Sequence, residues 1–340
     1  MSNSAGAAVG ILVNPMSGRD VRRLAARATN MTHEAKRDIV ARIAAGADAM
    51  GASDIFIAKE PFRIASAALE QMSLRARVHV IEFPLQLDAR DTETVVHRYL
   101  EAGVRTIVSL GGDGTNRAMV RAACNYHLIP LSTGTNNVFP MLVEPTIAGM
   151  VAALQARGMV PDHLSRAAKV LHVKSPRGQD VGLIDAVLLE RDHVGNLLPF
   201  DAGRLRQILL TRAEPDAIGM SPIGGLIEPV YADEDGGLLL HMETQENQRH
   251  APEGAYELQA PLSPGWFQTV RVKSVSRVPL GVAVPFRGKG VLALDGDRDH
   301  RLEINETAVV EIRRDGPMLL DVAGAMRHAV AAGMIARRLS

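Results

Sequence analysis

The stretch "VSLGGDGTNRAMV" (residues 108–120) decides how the chain is read. A β-type run, Thr106 to Leu110, ends in Gly111, Gly112 and Gly114, with one carboxylate, Asp113, set among them. Thr115 then opens a helical pattern. A glycine loop between a strand and a helix exposes backbone N–H groups at the positive end of the helix dipole, which is a phosphate site. Glycine also lets the backbone approach a ligand closely and take φ > 0 without a side-chain penalty. No Gly-Lys-Ser/Thr follows, so the loop is not a P-loop. Nor is it the dinucleotide fingerprint, whose third glycine would fall near Ala118. An aspartate inside an anion-binding loop fits phosphoryl transfer, where an acceptor hydroxyl must be oriented and lose its proton and a metal often bridges the phosphates. On the motif alone, a helix-cap or turn role explains Asp113 as well as chemistry does.

Outward from this loop the first 160 residues alternate regularly. Strand patterns at Val9–Asn14, 54–58, 77–83, 106–110 and 128–131 alternate with helical patterns at 33–50, 61–73, 91–102, from the glycine loop to about 125, and 145–157. Apolar strands alternating with helices predict a parallel sheet covered on both faces, with ligands beyond the carboxyl ends of the strands. The loop "NPMSG" (14–18), like "GGDGT" (111–115), lies at such an end. After about residue 160 the segments become short, alternating and separated by Gly, Pro or Asp, as in "AKVLHVKS", "GGLLLHME" and "GVLALDGD". That pattern predicts an antiparallel sandwich or barrel. The tail, Val322 to Leu339, reads as an amphipathic helix. The expected division is therefore an α/β domain over 1–160 and an all-β domain over 161–321, with 322–340 helical.

The 340 residues are 46% apolar and 22% charged, with 38 Lys plus Arg balancing 38 Asp plus Glu. Zero net charge argues against a nucleic-acid surface or an acidic tail. The single cysteine, Cys124, excludes an intrachain disulfide and reads as a buried apolar residue. No basic segment precedes the small apolar residues 5–13, and no apolar run reaches the roughly 18–20 residues of a membrane helix, so a cytoplasmic enzyme without a membrane partner is expected. The eleven histidines show no ligand spacing, so no zinc cluster is expected. The triplets Arg191-Asp192-His193 and Arg298-Asp299-His300 read as solvated turns. Arg22, Arg23 and Arg27 read as a solvated helix face near the "NPMSG" loop, within reach of phosphate.

Taken in order, "NPxSG" (Asn14, Pro15, Ser17, Gly18), "GGDGT" and "GTxN" (Gly134, Thr135, Asn137) resemble the superfamily of NAD kinases and diacylglycerol or sphingosine kinases. "GLIDAVLLER" (182–191) is similar to the NAD-kinase strand bearing an Asn-Glu/Asp pair, and "LDGD" (294–297) to an Asp-Gly-Glu or Asp-Gly-Gln turn. The whole chain most resembles the ATP-NAD kinase-like branch called the acetoin catabolism protein X family. The resemblance implies an NAD-kinase-like fold, a cleft between its two domains, and a C-terminal segment that returns to the first domain. It implies Asp113 as the base for an acceptor hydroxyl. Asn14, Ser17, Gly18, Gly111, Gly112, Gly114 and Thr115 would meet nucleotide phosphates; read from residues alone, Asn14 and Ser17 serve a turn and a helix cap equally well. Gly134, Thr135, Asn136, Asn137, Asp185 and Ser221 would meet substrate. Asp295 or Asp297 would help the base or sit on the metal side; read from residues alone, the pair is an Asp-Gly hairpin turn. ATP with Mg2+, NAD as substrate, and a dimer or tetramer are implied; polyphosphate is the other donor.

Two departures qualify this. Ile184 stands where NAD kinases carry asparagine, which puts NAD itself in question. The loop "AIGMSPIGGLIEPV" (217–230) keeps small residues but few hydroxyls. A lipid kinase, and a nucleotide- or NAD-sensing protein without turnover, stay open as alternatives.

Overall fold

Apolar strand cores and amphipathic helices build the first domain in the order that the alternation predicts. The computed structural model describes residues 6–18, 31–133, 137–198, 200–243 and 254–336. Its first half runs β1 (Ala8–Val13), α1 (His33–Ala49), β2 (Asp54–Ala58), α2 (Ile64–Leu69), β3 (Arg77–Ile81), α3 (Ala89–Glu101), β4 (Thr106–Gly111), α4 (Asp113–Ala122), β5 (His127–Ser132) and α5 (Pro145–Ala156). The strands pair in parallel in the order β3-β2-β1-β4-β5. The order reverses between β1 and β4, so the crevice that binds ligands in open α/β sheets opens at their carboxyl ends.

Both faces of the sheet are covered. One core joins Ile11, Ile57, Val108 and Ile129 to α1, α2 and α5; the other joins Leu12, Ile107 and Leu128 to α3 and α4. Helices α1 and α5 cross at backbone distance. A Cβ on Gly46 would lie 2.0 Å from Thr146 O, and one on Gly149 would lie 2.0 Å from Ile43 O, so glycine is required at both contacts.

Helix α2 is shorter than the expected 61–73. Glu60 accepts from the N–H groups of Phe62 (2.8 Å) and Ala65 (3.2 Å), and Arg63 sits at φ +52° before the helix begins. The Glu60 carboxylate starts this turn. Helix α3 begins earlier than expected, where Asp88 caps the N–H of Arg90.

The second half contains β6 (Ser165–Ala167), β7 (Val170–Ser175), β8 (Gly178–Gly182), β9 (Asp185–Leu189), β10 (Leu205–Leu210), α6 (Ser221–Gly225), β11 (Gly237–Met242), β12 (Tyr256–Ser263), β13 (Trp266–Val278), β14 (Ala283–Arg287), β15 (Gly290–Leu294), β16 (Asp297–Leu302), β17 (Thr307–Arg313), β18 (Met318–Leu320) and α7 (Val322–Ala331). A seven-stranded sheet, β12-β13-β11-β10-β9-β15-β16, faces a four-stranded one, β14-β17-β7-β8. Leu171, Leu188, Leu209, Phe286, Leu292 and Val310 fill the space between them. This is the antiparallel two-sheet domain that the short alternating segments predict.

The chain then returns to the first domain. Strand β18 pairs in parallel with β5, β6 pairs antiparallel with β18, and Val322, Ala325 and Ala329 of α7 join the first core. Helix α7 ends at Ala331, short of the expected 339; residues 337–340 lie outside the described residues.

Candidate active site

The two glycine-bearing loops meet at the reversal point because each follows one of its strands: "NPMSG" leaves β1 and "GGDGT" leaves β4. Asn14 joins them, donating from Nδ2 to Thr115 Oγ1 at 2.8 Å. Its Oδ1 accepts from the N–H groups of Met16 (2.9 Å) and Ser17 (3.3 Å), forming an Asx turn. Ser17 Oγ donates to Asn14 O and lies 2.8 Å from Thr133 Oγ1. Beneath the turn, buried Lys36 of α1 donates from Nζ to the carbonyls of Asn14 (2.8 Å), Pro15 (2.8 Å) and Ser17 (2.7 Å). A cation therefore fixes this loop from below. Lys36 lies in an unremarkable helical pattern, and no local motif marks it.

Gly111 ends β4 under Thr115; a Cβ there would lie 2.4 Å from Thr115 Cβ. Helix α4 begins at Gly112, which offers no side-chain cap, so the first-turn N–H groups lack that acceptor. The half-buried Asp113 carboxylate turns instead to the next loop and accepts from the N–H groups of Val138 (3.2 Å) and Phe139 (3.0 Å). It is thus not the side-chain cap of α4.

The second carboxylate comes from the other domain. Asp295 (φ +50°) and Gly296 (φ +89°) form the hairpin turn between β15 and β16. Two consecutive positive-φ residues are the type I′ signature, so the turn reading holds for the backbone. The carboxylate has a further part: it accepts from the N–H groups of Leu183 (2.8 Å), Ile184 (2.7 Å) and Asp185 (3.2 Å). Burial, and then the like charge of Asp295, push the Asp113 carboxyl up to about 7 against the pull of its two N–H donors and Arg212. Burial raises the Asp295 carboxyl too, with Arg117 and its three N–H donors holding it down. A carboxyl that titrates near neutral pH at the start of a helix can exchange a proton with a bound hydroxyl.

Each domain ties down the turn of the other. Arg117, one turn along α4 from Asp113, is buried and donates to Val181 O (2.6 Å), Leu294 O (3.0 Å) and Asp180 Oδ2 (2.6 Å). It ties β8 to the end of β15, the strand that leads into Asp295. Arg212, just after β10, donates to Val138 O at 3.2 Å and lies 5.1 Å from the Phe139 ring centre, so it holds the peptide that presents N–H groups to Asp113. Asp180 also accepts from Arg121 (2.8 Å) and meets His300 (3.1 Å). Burial opposes this charge, but His300, Arg121 and Arg117 hold its carboxyl far below the usual range. The expectation of solvated turns fails here. His300 is buried, and Arg298 pairs with Asp192 at 2.7 Å with both side chains 2% exposed.

Two cavities meet at the carboxylate pair. A cleft of about 720 Å³ runs over the carboxyl ends of β1, β2 and β3, bounded by both glycine loops, Phe62, Phe83 and Leu87, and by Asp295 and Asp297. A chamber of about 60 Å³ lies on the β-domain side, bounded by Asp113, Asp185, Phe200, Gly219 and Asp295. Of the expected residues, Asn14, Ser17, Gly18, Gly112, Asp113, Gly114, Thr115, Asn137, Asp295 and Asp297 line the cleft, and Asp185 lines the chamber. Gly134, Thr135 and Asn136, and also Arg22, Arg23 and Arg27, lie outside the described residues.

Ser221 lines neither cavity. It is fully buried, donating to Arg212 O and accepting from Glu214 N. Ile184 packs its side chain in the apolar core with Ile107, Met119 and Val170, and meets the site only through its backbone N–H. Cys124 is partly buried, and burial pushes its thiol up to about 11. Among the described residues no three Asp, Glu, His or Cys side chains converge on a metal position. No helix among them is long and apolar enough to cross a membrane.

The family model described as the acetoin catabolism protein X C-terminal domain matches residues 169–315. The acetoin catabolism protein X of Cupriavidus necator is 32% identical over 97% of this chain and 96% of its own length. Among solved structures, yeast NADH kinase complexed with NADH aligns over 100% of this chain and 95% of its own, with TM-score 0.54 and 13% identity. At that identity the likeness concerns the fold.

Proposed function

Since the chain belongs to the acetoin catabolism protein X family, with the NAD kinase fold, we propose that it is a phosphotransferase acting on a hydroxyl, with Asp113 as general base. One observation carries the reading: a carboxyl titrating near 7 stands at the uncapped start of α4, in a 720 Å³ cleft at the reversal point of the sheet. The volume lies within the range of small-molecule and cofactor sites. The phosphates of the donor lie against the N–H groups of Gly114 and Thr115, and its base and sugar against Phe62, Phe83 and Leu87. ATP is the proposed donor, with polyphosphate as the alternative. No protein cluster offers a metal position among the described residues, so Mg2+ fits this site only as a companion of the donor's phosphates.

Asp113, ionised, accepts the hydroxyl proton as the acceptor oxygen attacks phosphorus. The two N–H groups of Val138 and Phe139 keep the carboxylate aimed. Kinship to NAD kinases suggests NAD or a related small metabolite as acceptor. Ile184 weighs against NAD itself, because its side chain is committed to the core and no amide stands at that position. A long-chain lipid fits less well, since the inter-sheet space is filled by leucine, valine and phenylalanine side chains. A cytoplasmic homo-oligomer is the accompanying proposal.

The test is ADP release from ATP and Mg2+ with NAD and with small hydroxy compounds, in the native chain and in Asp113→Asn. Turnover that survives Asp113→Asn would remove the base. Saturable ATP binding with no transfer to any acceptor would leave the nucleotide-sensing alternative.

A further inference from the structure

Asp113 and Asp295 form a wall shared by two very unequal spaces, the 720 Å³ cleft and the 60 Å³ chamber. We propose that the chamber is the acceptor subsite, and that it takes a short neutral hydroxy compound of about three or four carbons. This rests on the phosphotransferase reading above and narrows it.

Size comes first. At about 10–15 Å³ for each water-sized position, the chamber holds roughly four to six non-hydrogen atoms. A dinucleotide or an acyl chain exceeds that several-fold.

One side of the wall is built to stay. Phe200 lines the chamber, with the Arg298 guanidinium 4.5 Å over its ring. Arg298 is held in turn by Asp192 at 2.7 Å and by Asn196 O at 2.5 Å. Opening the chamber at Phe200 disturbs a buried ion pair, a costly rearrangement.

The chemistry of the wall sets the class of guest. Asp113, Asp185 and Asp295 contribute carboxylates, while Arg298, the one cation among the described lining residues, is already offset by Asp192. A neutral guest avoids like-charge repulsion that an anionic one meets. Met220 and Leu262 offer an apolar side for a short carbon chain. The hydroxyl of the guest lies at Asp113, which is reached from both spaces. In the step, its proton passes to the Asp113 carboxylate and its oxygen bonds the terminal phosphorus. The bond to the bridging oxygen breaks, nucleoside diphosphate leaves with that electron pair, and Asp113 later returns the proton to water.

The experiment measures ADP release by the full chain with ATP and Mg2+ and, one at a time, glycerol, dihydroxyacetone, glycerate, ribose and NAD. Glycerol or dihydroxyacetone is expected to give a kcat/KM at least tenfold above NAD, with anionic glycerate below both. Phe200→Ala and Leu198→Ala, the latter at a residue that also borders the chamber, each first shown to be folded by its Tm, are expected to raise ribose relative to glycerol at least fivefold. NAD turning over as well as the three-carbon compounds overturns the inference and leaves phosphotransfer standing. An unchanged ribose-to-glycerol ratio in both variants overturns the chamber as the acceptor subsite. No transfer to any of the five overturns the phosphotransferase reading beneath it.

Discussion

Two aspartates sit in two glycine turns, one in each domain, and the structure treats them differently. Asp113 begins a helix, is half-buried, and is held by two N–H groups at 3.0–3.3 Å. Asp295 occupies a left-handed position in a hairpin, is 9% exposed, and is held by three N–H groups at 2.7–3.2 Å. The more open carboxylate can meet a substrate in the cleft. The enclosed one is fixed by its cradle and acts mainly through its charge, which helps to lift its neighbour to about 7. In the proposed reading, the proton-transfer group is made from two residues with separate tasks, one reachable and one rigid.

The sharpest way to break that division is to neutralise the reachable partner. Asp113→Asn should lower ATP-dependent turnover about 10²–10⁴-fold, the usual worth of a positioned general base. ATP binding, followed as ligand-induced rise in Tm, should persist, because the proposed phosphate contacts are backbone N–H groups. Stability should move the other way. A carboxyl raised from an ordinary 3.8 to about 7 weakens the fold as pH climbs through that interval and stays costly above it. The variant should therefore be more stable than the native chain at pH 8 and indistinguishable near pH 3.5. Equal turnover in the two proteins would return Asp113 to a purely structural role.

The next largest effect should come from the tie between the two turns. Arg117 belongs to the helix that Asp113 starts and bonds the carbonyl of Leu294, the residue before Asp295. Arg117→Met keeps the length of the side chain and removes its charge. It takes from Asp180 its buried cation, leaving Arg121, His300 and the Val181 N–H, and removes one donor from each of two carbonyls, at a cost of about 2–4 kcal/mol in urea unfolding. If the tie also sets the distance between the turns, the acid limb of the pH–rate profile should shift with it.

The two turns were not equally legible. The strand, glycine loop and helix around Asp113 are contiguous in sequence, and their spacing alone places a phosphate loop at a strand end. The two-domain layout follows equally from local periodicity, since strand and helix patterns depend on near neighbours. Asp295 reads locally as a hairpin aspartate, which it is. Its contacts lie some 110 residues away, on the N–H groups of residues 183–185, and no local pattern reports them. Lys36, Arg117 and Arg212 were missed for the same reason, since each is an ordinary cation in its own segment and gains its place only through the packed fold. The triplets at 191–193 and 298–300 misled in the opposite direction, because charged residues in turns are usually solvated, whereas here Asp192 and Arg298 bury each other.

The Asp295 cradle can be tested by a substitution that looks restorative. Ile184→Asn installs the asparagine that the resemblance to NAD kinases implies at this position. The Ile184 side chain is 1% exposed among Ile107, Met119 and Val170, so the amide would enter an apolar core without partners. The expected outcome is a loss of about 2–3 kcal/mol with no gain in NAD binding by calorimetry. Tighter NAD binding would mean that position 184 can reach the cleft.

The smallest predicted effect separates the aspartates most directly. In the native chain, turnover should rise with pH through about 7 and level off above it, because the base must be ionised. Asp295→Asn removes the like charge but keeps a carbonyl oxygen for the N–H groups of Ile184 and Asp185. Its new amide nitrogen faces the Leu183 N–H, a donor-to-donor contact worth about 1 kcal/mol against the fold, offset by relief from burying a charge. Net stability at pH 8 should therefore change little. Without the neighbouring charge, the Asp113 carboxyl relaxes downward and the acid limb should move about one pH unit lower. Above pH 8 the plateau should fall by less than tenfold, since a base of lower pKa draws the proton more weakly. An unmoved limb would show that burial alone sets Asp113. A loss as large as that of Asp113→Asn would make Asp295 the proton acceptor and reverse the two tasks.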